Sequence, residues 1–291
     1  MTIKNIGFIL VSVLLLSVLM FGCSSNSTSP NTSQDDITFQ AAGSYTVTTY
    51  SDLKTRISNA VAGDVITISG TIRTSSNLSI SRSGSSSAMI TLKGGCLDFS
   101  GCSSYGLNIS GSYWRISGIE IKNDGDTPVY ITGSRNIIEN CNIHNNQDMG
   151  LLIRHGGAYN QVNGCQSHDN YDTANGGENA DGFGCKWEGG SSNVFNNCNA
   201  SYNSDDGWDL WMYTSPVKIN SCQAHYNGKG TAGDGNGFKL GGNNVAANHT
   251  LTNCVANYNT GYGYCRNNNP GTITLSNCTG TGNKKGLKSG L

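Results

Sequence analysis

Charged residues are scarce in this 291-residue sequence, where they make up 13% and leave a formal net charge of -1. No basic cluster offsets that balance, which argues against a nucleic-acid partner. Blocks of helix-forming Ala, Glu, Lys and Leu are also lacking after the first sixty residues. Glycine, at 39 residues, is abundant instead, a composition typical of short strands joined by tight turns. Because only 19 residues are acidic, a local group of carboxylates is informative.

The N-terminal segment predicts export. Residues 1–22 carry a positive charge at Lys4 and then an apolar run from Ile6 to Phe21, which is typical of a signal peptide. The run is short for a membrane span, which disfavours a retained anchor. Cys23 stands where a bacterial lipoprotein would be cleaved and lipidated, although ordinary secretion is an alternative. We expect an extracellular protein or a cell-surface or outer-membrane lipoprotein, with membrane contact only through Cys23.

Two segments follow the predicted signal peptide. Residues 23–36 are polar, small and without periodicity, which predicts a flexible tether rich in Ser, Asn and Thr. Residues 37–291 are expected to form one catalytic domain, and the protein is expected to be a monomer.

A repeat runs through the second half of the chain. Six cysteines are separated by 24, 33, 24, 32 and 24 residues: Cys141, Cys165, Cys198, Cys222, Cys254 and Cys278. An asparagine stands five positions after each of them: Asn146, Asn170, Asn203, Asn227, Asn259 and Asn283. An apolar residue stands three positions before each: Ile138, Val162, Phe195, Ile219, Leu251 and Leu275. A period in the low twenties without helical patterning predicts an all-β parallel solenoid, in which each coil adds one strand per sheet.

The repeated positions have structural roles in such a solenoid. Equivalent residues of successive coils stack at about 4.8 Å. The cysteines then form a buried ladder of small hydrophobes, and the asparagines form a ladder of hydrogen-bonded amides in a turn. Neighbours stacked in adjacent parallel strands have poor disulfide geometry, so we expect mostly thiols.

A short helix is predicted near the start of the domain. Ser51 is a candidate N-cap for a helix that runs through Val61, with Leu53 and Ile57 also on its apolar face. A helix in this place would cover the open end of the solenoid, whose last strands would otherwise offer unpaired edges.

A glycine followed by a large apolar residue gives the register of each coil. The pairs are Gly150-Leu151, Gly182-Phe183, Gly207-Trp208, Gly237-Phe238 and Gly261-Tyr262. By strand alternation the large residue points inward and the next one outward. The outward residues are Leu152, Gly184, Asp209, Lys239 and Gly263, so Asp209 and Lys239 are expected to be stacked neighbours. The position before the glycine holds Asp181 and Asp206 on adjacent coils, with Asp205 beside them.

Four carboxylates so close together repel one another unless a cation satisfies them. One lysine cannot neutralise four, whereas Ca²⁺ accepts several oxygen ligands in an irregular geometry. No set of histidines and cysteines has zinc spacing. The alternative is structural, because Asp-Gly pairs are common in turns and an exposed ion pair contributes little. The loops 171–180 and 228–236 precede the Asp181 and Lys239 strands and are expected to wall a cleft. Asp172, Glu178 and Asp234 in these loops are further candidates for metal ligands, of second rank.

Three motifs carry a resemblance to a known family. In chain order they are Asn179-Ala-Asp-Gly-Phe, Ser204-Asp-Asp-Gly-Trp-Asp-Leu and Gly235-Asn-Gly-Phe-Lys-Leu-Gly-Gly. Together they resemble the pectate lyases of polysaccharide lyase family nine. The resemblance implies a right-handed parallel β-helix that cleaves pectate or polygalacturonate by β-elimination. It also implies that Ca²⁺ is held by Asp181, Asp205, Asp206 and Asp209, and that Lys239 is the catalytic base.

Further residues are candidates for binding an acidic polysaccharide. Arg154, Lys186 and Arg266 are the cationic residues expected to bind further uronate carboxylates along the groove. Trp211 and Tyr213 are candidates for stacking on sugar rings, with ordinary packing as the alternative.

Other functions on the same fold stay open. A polygalacturonase-like hydrolase would use paired carboxylates and no metal, although Lys239 stands where the hydrolase motif would place a Gly-His-Gly. A rhamnogalacturonan lyase is a second alternative. A non-catalytic surface solenoid that binds carbohydrate is a third.

Overall fold

The computed structural model describes residues 41–291, so the predicted signal peptide, Cys23 and the whole predicted tether lie outside the described residues. The described chain is a parallel right-handed β-solenoid of about ten turns with one short helix, as the repeat and the family resemblance predicted. Within this part of the chain no helix is long and apolar enough to cross a membrane.

Each coil contributes strands to three parallel sheets, A, B and C. Sheet A contains ten strands: β1 Ser44–Val47, β2 Val65–Ile68, β5 Ile90–Lys93, β8 Trp114–Ser117, β11 Ile137–Glu139, β14 Gln161–Asn163, β17 Asn193–Asn196, β20 Val217–Asn220, β23 Thr250–Thr252 and β26 Thr274–Ser276. Sheet B contains nine: β3 Thr71–Arg73, β6 Cys96–Asp98, β9 Glu120–Lys122, β12 Asn142–His144, β15 Gln166–His168, β18 Asn199–Ser201, β21 Gln223–His225, β24 Val255–Asn257 and β27 Thr279–Thr281. Sheet C contains nine: β4 Leu78–Ile80, β7 Leu107–Ile109, β10 Val129–Ile131, β13 Leu151–Ile153, β16 Phe183–Cys185, β19 Trp208–Asp209, β22 Phe238–Lys239, β25 Tyr262–Cys265 and β28 Gly286–Ser289.

The core forms because alternate residues of each short strand point inside the solenoid. In sheet A the apolar residue before each ladder cysteine pairs with its equivalent on the next coil, for example Ile138 with Val162 and Val162 with Phe195. The cysteine ladder lies beside them, and Cys165 Sγ donates to the carbonyl of Ile138 at 3.5 Å. All ten cysteines in the described residues are thiols, as their stacked spacing predicts.

The asparagine ladder closes the turn between sheets B and C. Asn203 shows the pattern: its Oδ1 accepts from Asn170 Nδ2 at 2.8 Å, and its own Nδ2 donates to Asn227 Oδ1 at 3.0 Å. The register glycine is needed because neighbouring turns approach closely here. A Cβ on Gly207 would lie 2.6 Å from the carbonyl oxygen of Gly237. The ladder and the glycines therefore fix where each strand of sheet C begins.

The predicted helix exists, but its predicted bounds were wrong. Helix α1 spans Tyr50–Ser58, and its N-cap is Thr49 rather than Ser51. Thr49 has extended backbone angles, and its Oγ1 accepts from Asp52 N–H at 3.2 Å, which satisfies a free donor of the first turn. Leu53 and Ile57 are buried as predicted, and α1 packs against β1, β2 and β4 at the first coil.

The register predicted for the last aromatic pair was also wrong. Phe238 pairs with Tyr264 instead of Tyr262, and Lys239 therefore lies beside Cys265 rather than Gly263. The glycine that meets the neighbouring turn is Gly263, because a Cβ on Gly237 would lie 2.7 Å from its carbonyl oxygen. The Gly-Tyr-Gly-Tyr sequence offers two equivalent pairs, and the ring of Tyr264 stacks on Phe238 at 5.2 Å.

Candidate active site

The candidate site lies on the outer face of sheet C, where β16, β19 and β22 are neighbours. The strand register pairs Gly184 with Asp209 and Asp209 with Lys239, so the last two are stacked neighbours as predicted. Their inward partners Phe183, Trp208 and Phe238 form a continuous aromatic stack that positions the three strands.

Three carboxylates form one buried group. Oxygens of Asp181, Asp206 and Asp209 lie within 4.8 Å of one another, and each residue is at most 2% exposed. One oxygen of each is fixed by the backbone. Asp181 Oδ1 accepts from Asp206 N–H at 2.9 Å, Asp206 Oδ1 from Asn236 N–H at 2.5 Å, and Asp209 Oδ1 from Trp211 N–H at 2.9 Å. The second oxygen of each carboxylate, Oδ2, faces a lysine ammonium group.

Asp205 is buried beside this group and is not one of the three clustered residues. Its Oδ1 accepts from Asp234 N–H at 2.7 Å, which connects the segment before β19 to the loop before β22. The structure therefore gathers three of the four predicted metal ligands and places the fourth on the wall of the cleft.

Two lysine ammonium groups approach the carboxylates from different sides. Lys186 Nζ lies 2.8 Å from Asp181 Oδ2 and 2.8 Å from Asp209 Oδ2, and its side chain is only 9% exposed. Lys239 Nζ lies 2.9 Å from Asp234 Oδ2 and 3.4 and 3.6 Å from oxygens of Asp206 and Asp209. Lys186 had been predicted to bind substrate, and here it is an internal counterion of the acidic group.

The burial of these groups changes their protonation. Burial raises the pKa of Asp205 to about 10 and that of Asp206 to about 7, and repulsion from neighbouring carboxylates adds to it. Burial likewise raises the pKa of Asp181 well above its usual value, despite the nearby Lys186. Burial acts to lower the pKa of Lys239, but the carboxylates of Asp206 and Asp209 outweigh it and raise that pKa. Without a further cation, the site therefore favours protonated carboxyls and a charged lysine.

The donor set fits a hard divalent cation. Asp181 Oδ2 and Asp206 Oδ2 are buried and accept no hydrogen bond of good geometry. Five carboxylates, those of Asp181, Asp205, Asp206, Asp209 and Asp234, surround the two ammonium groups, which leaves three negative charges when all are ionised. Carboxylate oxygens are the ligands that Ca²⁺ prefers, and a buried unpaired charge is costly. These residues could therefore hold one Ca²⁺.

A cleft of about 300 Å³ opens over the lysines and carboxylates. It is lined by Glu178, Asn179, Lys186, Trp187, Asp205, Asp209, Trp211, Ala232, Asp234 and Lys239. The two loops predicted to wall it contact each other, because Thr231 N–H and Ala232 N–H both donate to the carbonyl of Gly176. Asp172 does not reach the cleft, since its carboxylate accepts from Asn175 and Asn179 and holds the first loop in shape.

The other predicted sugar-binding residues are placed differently. Arg154 stacks on Trp187 at 3.7 Å, beside a smaller recess of about 90 Å³ that shares Lys186 and Trp187 with the main cleft. Arg266 is not among the residues that line the cleft, and its guanidinium donates to the carbonyls of Asn269 and Gly271. Tyr213 is only 1% exposed and is a packing residue, whereas Trp211 lines the cleft.

Two residues that shape the site were not anticipated. Trp187 lines the cleft and stacks against Arg154. Its position next to Lys186 in the sequence is the feature from which its place at the site could have been predicted. Asn236 holds Asp206 through both its backbone N–H and its side chain, at 2.5 and 3.0 Å. Its role depends on the conformation of the long loop before β22, which strand alternation does not specify.

Comparison with known proteins identifies the family of the chain. The family model described as Pel9A-like, right handed beta helix region, matches residues 33–290. The chain belongs to this family. It is 36% identical over 194 residues to pectate lyase L of Dickeya chrysanthemi, covering 65% of this chain and 45% of that protein. It is 39% identical over 210 residues to pectate lyase L of Paenibacillus polymyxa, covering 63% of this chain and 46% of that protein.

A solved structure extends the similarity to the fold. The crystal structure of pectate lyase Pel9A superimposes with a TM-score of 0.75 at 32% identity, covering 81% of this chain and 68% of that one. The predicted family is therefore confirmed. The chain spans about half the length of the curated relatives that it matches.

Proposed function

We propose that this protein is a calcium-dependent pectate lyase that cleaves polygalacturonate by β-elimination, with Lys239 as the base. The proposal rests on one observation above all: Lys239 Nζ lies 3.4 and 3.6 Å from oxygens of Asp206 and Asp209, which cluster with Asp181. Lys239 and Asp209 both line the cleft on the outer face of sheet C. The names of the relatives at 36% and 39% identity support the same reaction and substrate class.

The reaction requires removal of the C5 proton of a uronate unit. Lys239 Nζ accepts that proton, the C5 electron pair forms a double bond to C4, and the C4–O bond to the next sugar breaks. The oxygen leaves with the electrons of that bond and takes a proton from water. Bound Ca²⁺ would neutralise the uronate carboxylate and so acidify the C5 proton. Asp181, Asp206 and Asp209 would hold the ion, with Asp205 beside them.

The lysine and the carboxylates are coupled through their charges. A general base must be neutral, and the field of Asp206 and Asp209 keeps the Lys239 ammonium protonated by raising its pKa. Neutralising those two carboxylates with a divalent cation removes the cause of the shift, and burial then favours the neutral amine. The metal would thus prepare the base as well as the substrate.

Two of the predicted cationic residues are proposed to bind the acidic substrate. Arg154, stacked on Trp187 beside the cleft, is suited to bind a neighbouring uronate carboxylate. Lys186 lines the same cleft and contributes positive charge to it. We propose that the protein acts after export, at the cell surface or outside the cell, with Cys23 as the lipid attachment site.

One assay tests the reaction. The protein with residues 37–291 intact is incubated with polygalacturonate at alkaline pH, with Ca²⁺ or with a chelator, while ultraviolet absorbance of unsaturated uronate is followed. A rise that requires Ca²⁺ is expected. Release of reducing sugar without that absorbance would overturn the proposal in favour of a hydrolase. No product from polygalacturonate, with cleavage of rhamnogalacturonan, would correct the substrate.

A further inference from the structure

A second groove lies on the outer face of sheet A, away from the cleft on sheet C. We call it the sheet A groove and define it by Tyr113, Arg135, Ile137, Tyr159, Gln161 and Val194. Its volume is about 390 Å³, within the range of carbohydrate and small-ligand sites. Successive coils supply its residues, so the groove runs across the strands along the solenoid axis.

An ordered stack of side chains forms one wall of the groove. Tyr113, Arg135 and Tyr159 occupy equivalent positions of three successive coils, two residues before the paired positions Arg115, Ile137 and Gln161. Each has a positive φ, between 57° and 61°. The Arg135 guanidinium carbon lies 4.5 Å from the ring centre of Tyr159 and 5.9 Å from that of Tyr113. The guanidinium therefore packs on the Tyr159 ring, and such stacking leaves the N–H groups at the edge of a guanidinium available to an acceptor.

Arg135 has no acceptor among the described residues, and none of the residues that line the groove is acidic. Arg115, on the same outer face, is different: its Nη1 donates to both carboxylate oxygens of Glu139 at 2.8 Å. The stack ends at Ser192, whose small side chain follows Tyr159 on the next coil. Tyr159 is therefore 48% exposed, with Ile137 and Val194 forming an apolar floor nearby.

We propose that the sheet A groove is a second, non-catalytic binding site for an acidic polysaccharide chain. Arg135 binds a uronate carboxylate with its free N–H edge, and Tyr159 packs against the sugar ring. A guanidinium held by stacking loses little freedom when it pairs with a carboxylate, which favours binding. The ligand class rests on the proposed function, because it is the substrate class of the cleft. A second contact with the same polymer would keep the enzyme on its substrate.

Affinity electrophoresis through a gel that contains polygalacturonate, with a chelator to suppress cleavage, tests the proposal. The variants are Arg135→Asn and Tyr159→Asn, because Asn tolerates the positive φ of both positions. Matched controls are Arg115→Asn, which removes the same charge from the same face, and Tyr258→Asn, whose parent side chain is 49% exposed with a φ of 56°. Thermal unfolding of each variant confirms folding.

Arg135→Asn is expected to weaken binding about tenfold and Tyr159→Asn several-fold, with both controls close to the parent protein. Equal retardation of Arg135→Asn and Arg115→Asn would overturn the inference, since only net charge would then matter. Equal binding of the parent to a neutral galactan would overturn it too. The absorbance assay is run in parallel. If the parent protein cleaves polygalacturonate but Arg135→Asn binds as tightly as the parent, only the proposed binding site in the sheet A groove is refuted. If the parent protein shows no cleavage, the proposed function is refuted.

Discussion

The outer face of sheet C has two halves with opposite chemistry. In the earlier coils its outward residues are Tyr130 and Leu152, which form a small buried apolar cluster with Met149 under Tyr105 and Trp187. In the later coils the same column continues through Gly184 to Asp209 and Lys239. The backbone register is unbroken from one half to the other.

The difference separates residues that stabilise the solenoid from residues that form its candidate active site. Burial of Tyr130, Met149 and Leu152 removes apolar surface from water and is favourable. Burial of Asp181 and Asp206 in the other half removes carboxylates from water, which is unfavourable and is offset only in part by the ammonium groups of Lys186 and Lys239. Inward residues of sheet C are buried beneath both halves, as Leu151 in the earlier half and the stacked Phe183, Trp208 and Phe238 in the later half, and they stabilise the strands that carry the acidic half. Enzymes generally have residues at their functional sites that lower the stability of the fold.

The largest expected effect concerns the base in the acidic half. Lys239→Arg keeps the positive charge beside Asp206, Asp209 and Asp234, but an arginine stays protonated and cannot accept the C5 proton. Formation of unsaturated product is expected to fall at least about 1000-fold. Lys218→Arg, on the exposed face of sheet A, is the matched control. Substantial activity in a folded Lys239→Arg protein would remove Lys239 from the role of base.

Removal of the internal counterion tests whether the acidic half opposes folding. Lys186→Met leaves Asp181 and Asp209 without the ammonium that lies 2.8 Å from each. The free energy of unfolding of the metal-free protein is expected to fall by about 3 kcal/mol, because a buried carboxylate loses its partner. Chemical denaturation with a chelator measures it, and Ca²⁺ should restore much of the loss. An unchanged midpoint would mean that Lys186 is not a structural counterion.

The same comparison predicts that removing a carboxylate has the opposite effect. In Asp206→Asn the new side chain retains an oxygen for the Asn236 N–H and removes one charge from the group. The metal-free protein is expected to gain about 1 kcal/mol of stability, since burial of a charge is relieved. Calcium affinity, measured by titration calorimetry, should fall by about two orders of magnitude. Unaltered affinity would exclude Asp206 as a ligand.

The smallest expected effect is the pH dependence of the free energy of unfolding of the metal-free protein, which changes gradually with pH. Asp206 has a pKa of about 7 in the folded state, above its value in the unfolded chain, so the folded state binds more protons between about pH 4 and 7. The free energy of unfolding should therefore fall as pH rises through this window, by at most about 1.4 kcal/mol per pH unit for this group. Denaturant midpoints measured with a chelator check the sign. Stability that rises over the window would contradict the assignment, and Asp206→Asn should flatten the profile.

Much of the molecule was determined by the sequence alone. In a parallel solenoid, equal positions of successive coils become spatial neighbours, so a period of 24 to 33 residues converts directly into contacts. That relation predicted the cysteine and asparagine ladders and the adjacency of Asp209 and Lys239. Strand alternation then predicted which side of the sheet carries the carboxylates.

Other features were decided only by tertiary packing. The Gly261-Tyr-Gly-Tyr sequence allowed two registers, and the close approach of Gly237 and Gly263 together with the Phe238–Tyr264 stack selected one. The positions of the charged ends of the long cationic side chains were likewise not predictable from the sequence, because several rotatable bonds separate them from the backbone. The Lys186 ammonium forms ion pairs with the carboxylates, the Arg154 guanidinium stacks on Trp187, and the Arg266 guanidinium donates to backbone carbonyls. Strand periodicity specifies where a side chain starts, and the packing around it specifies where its charge comes to lie.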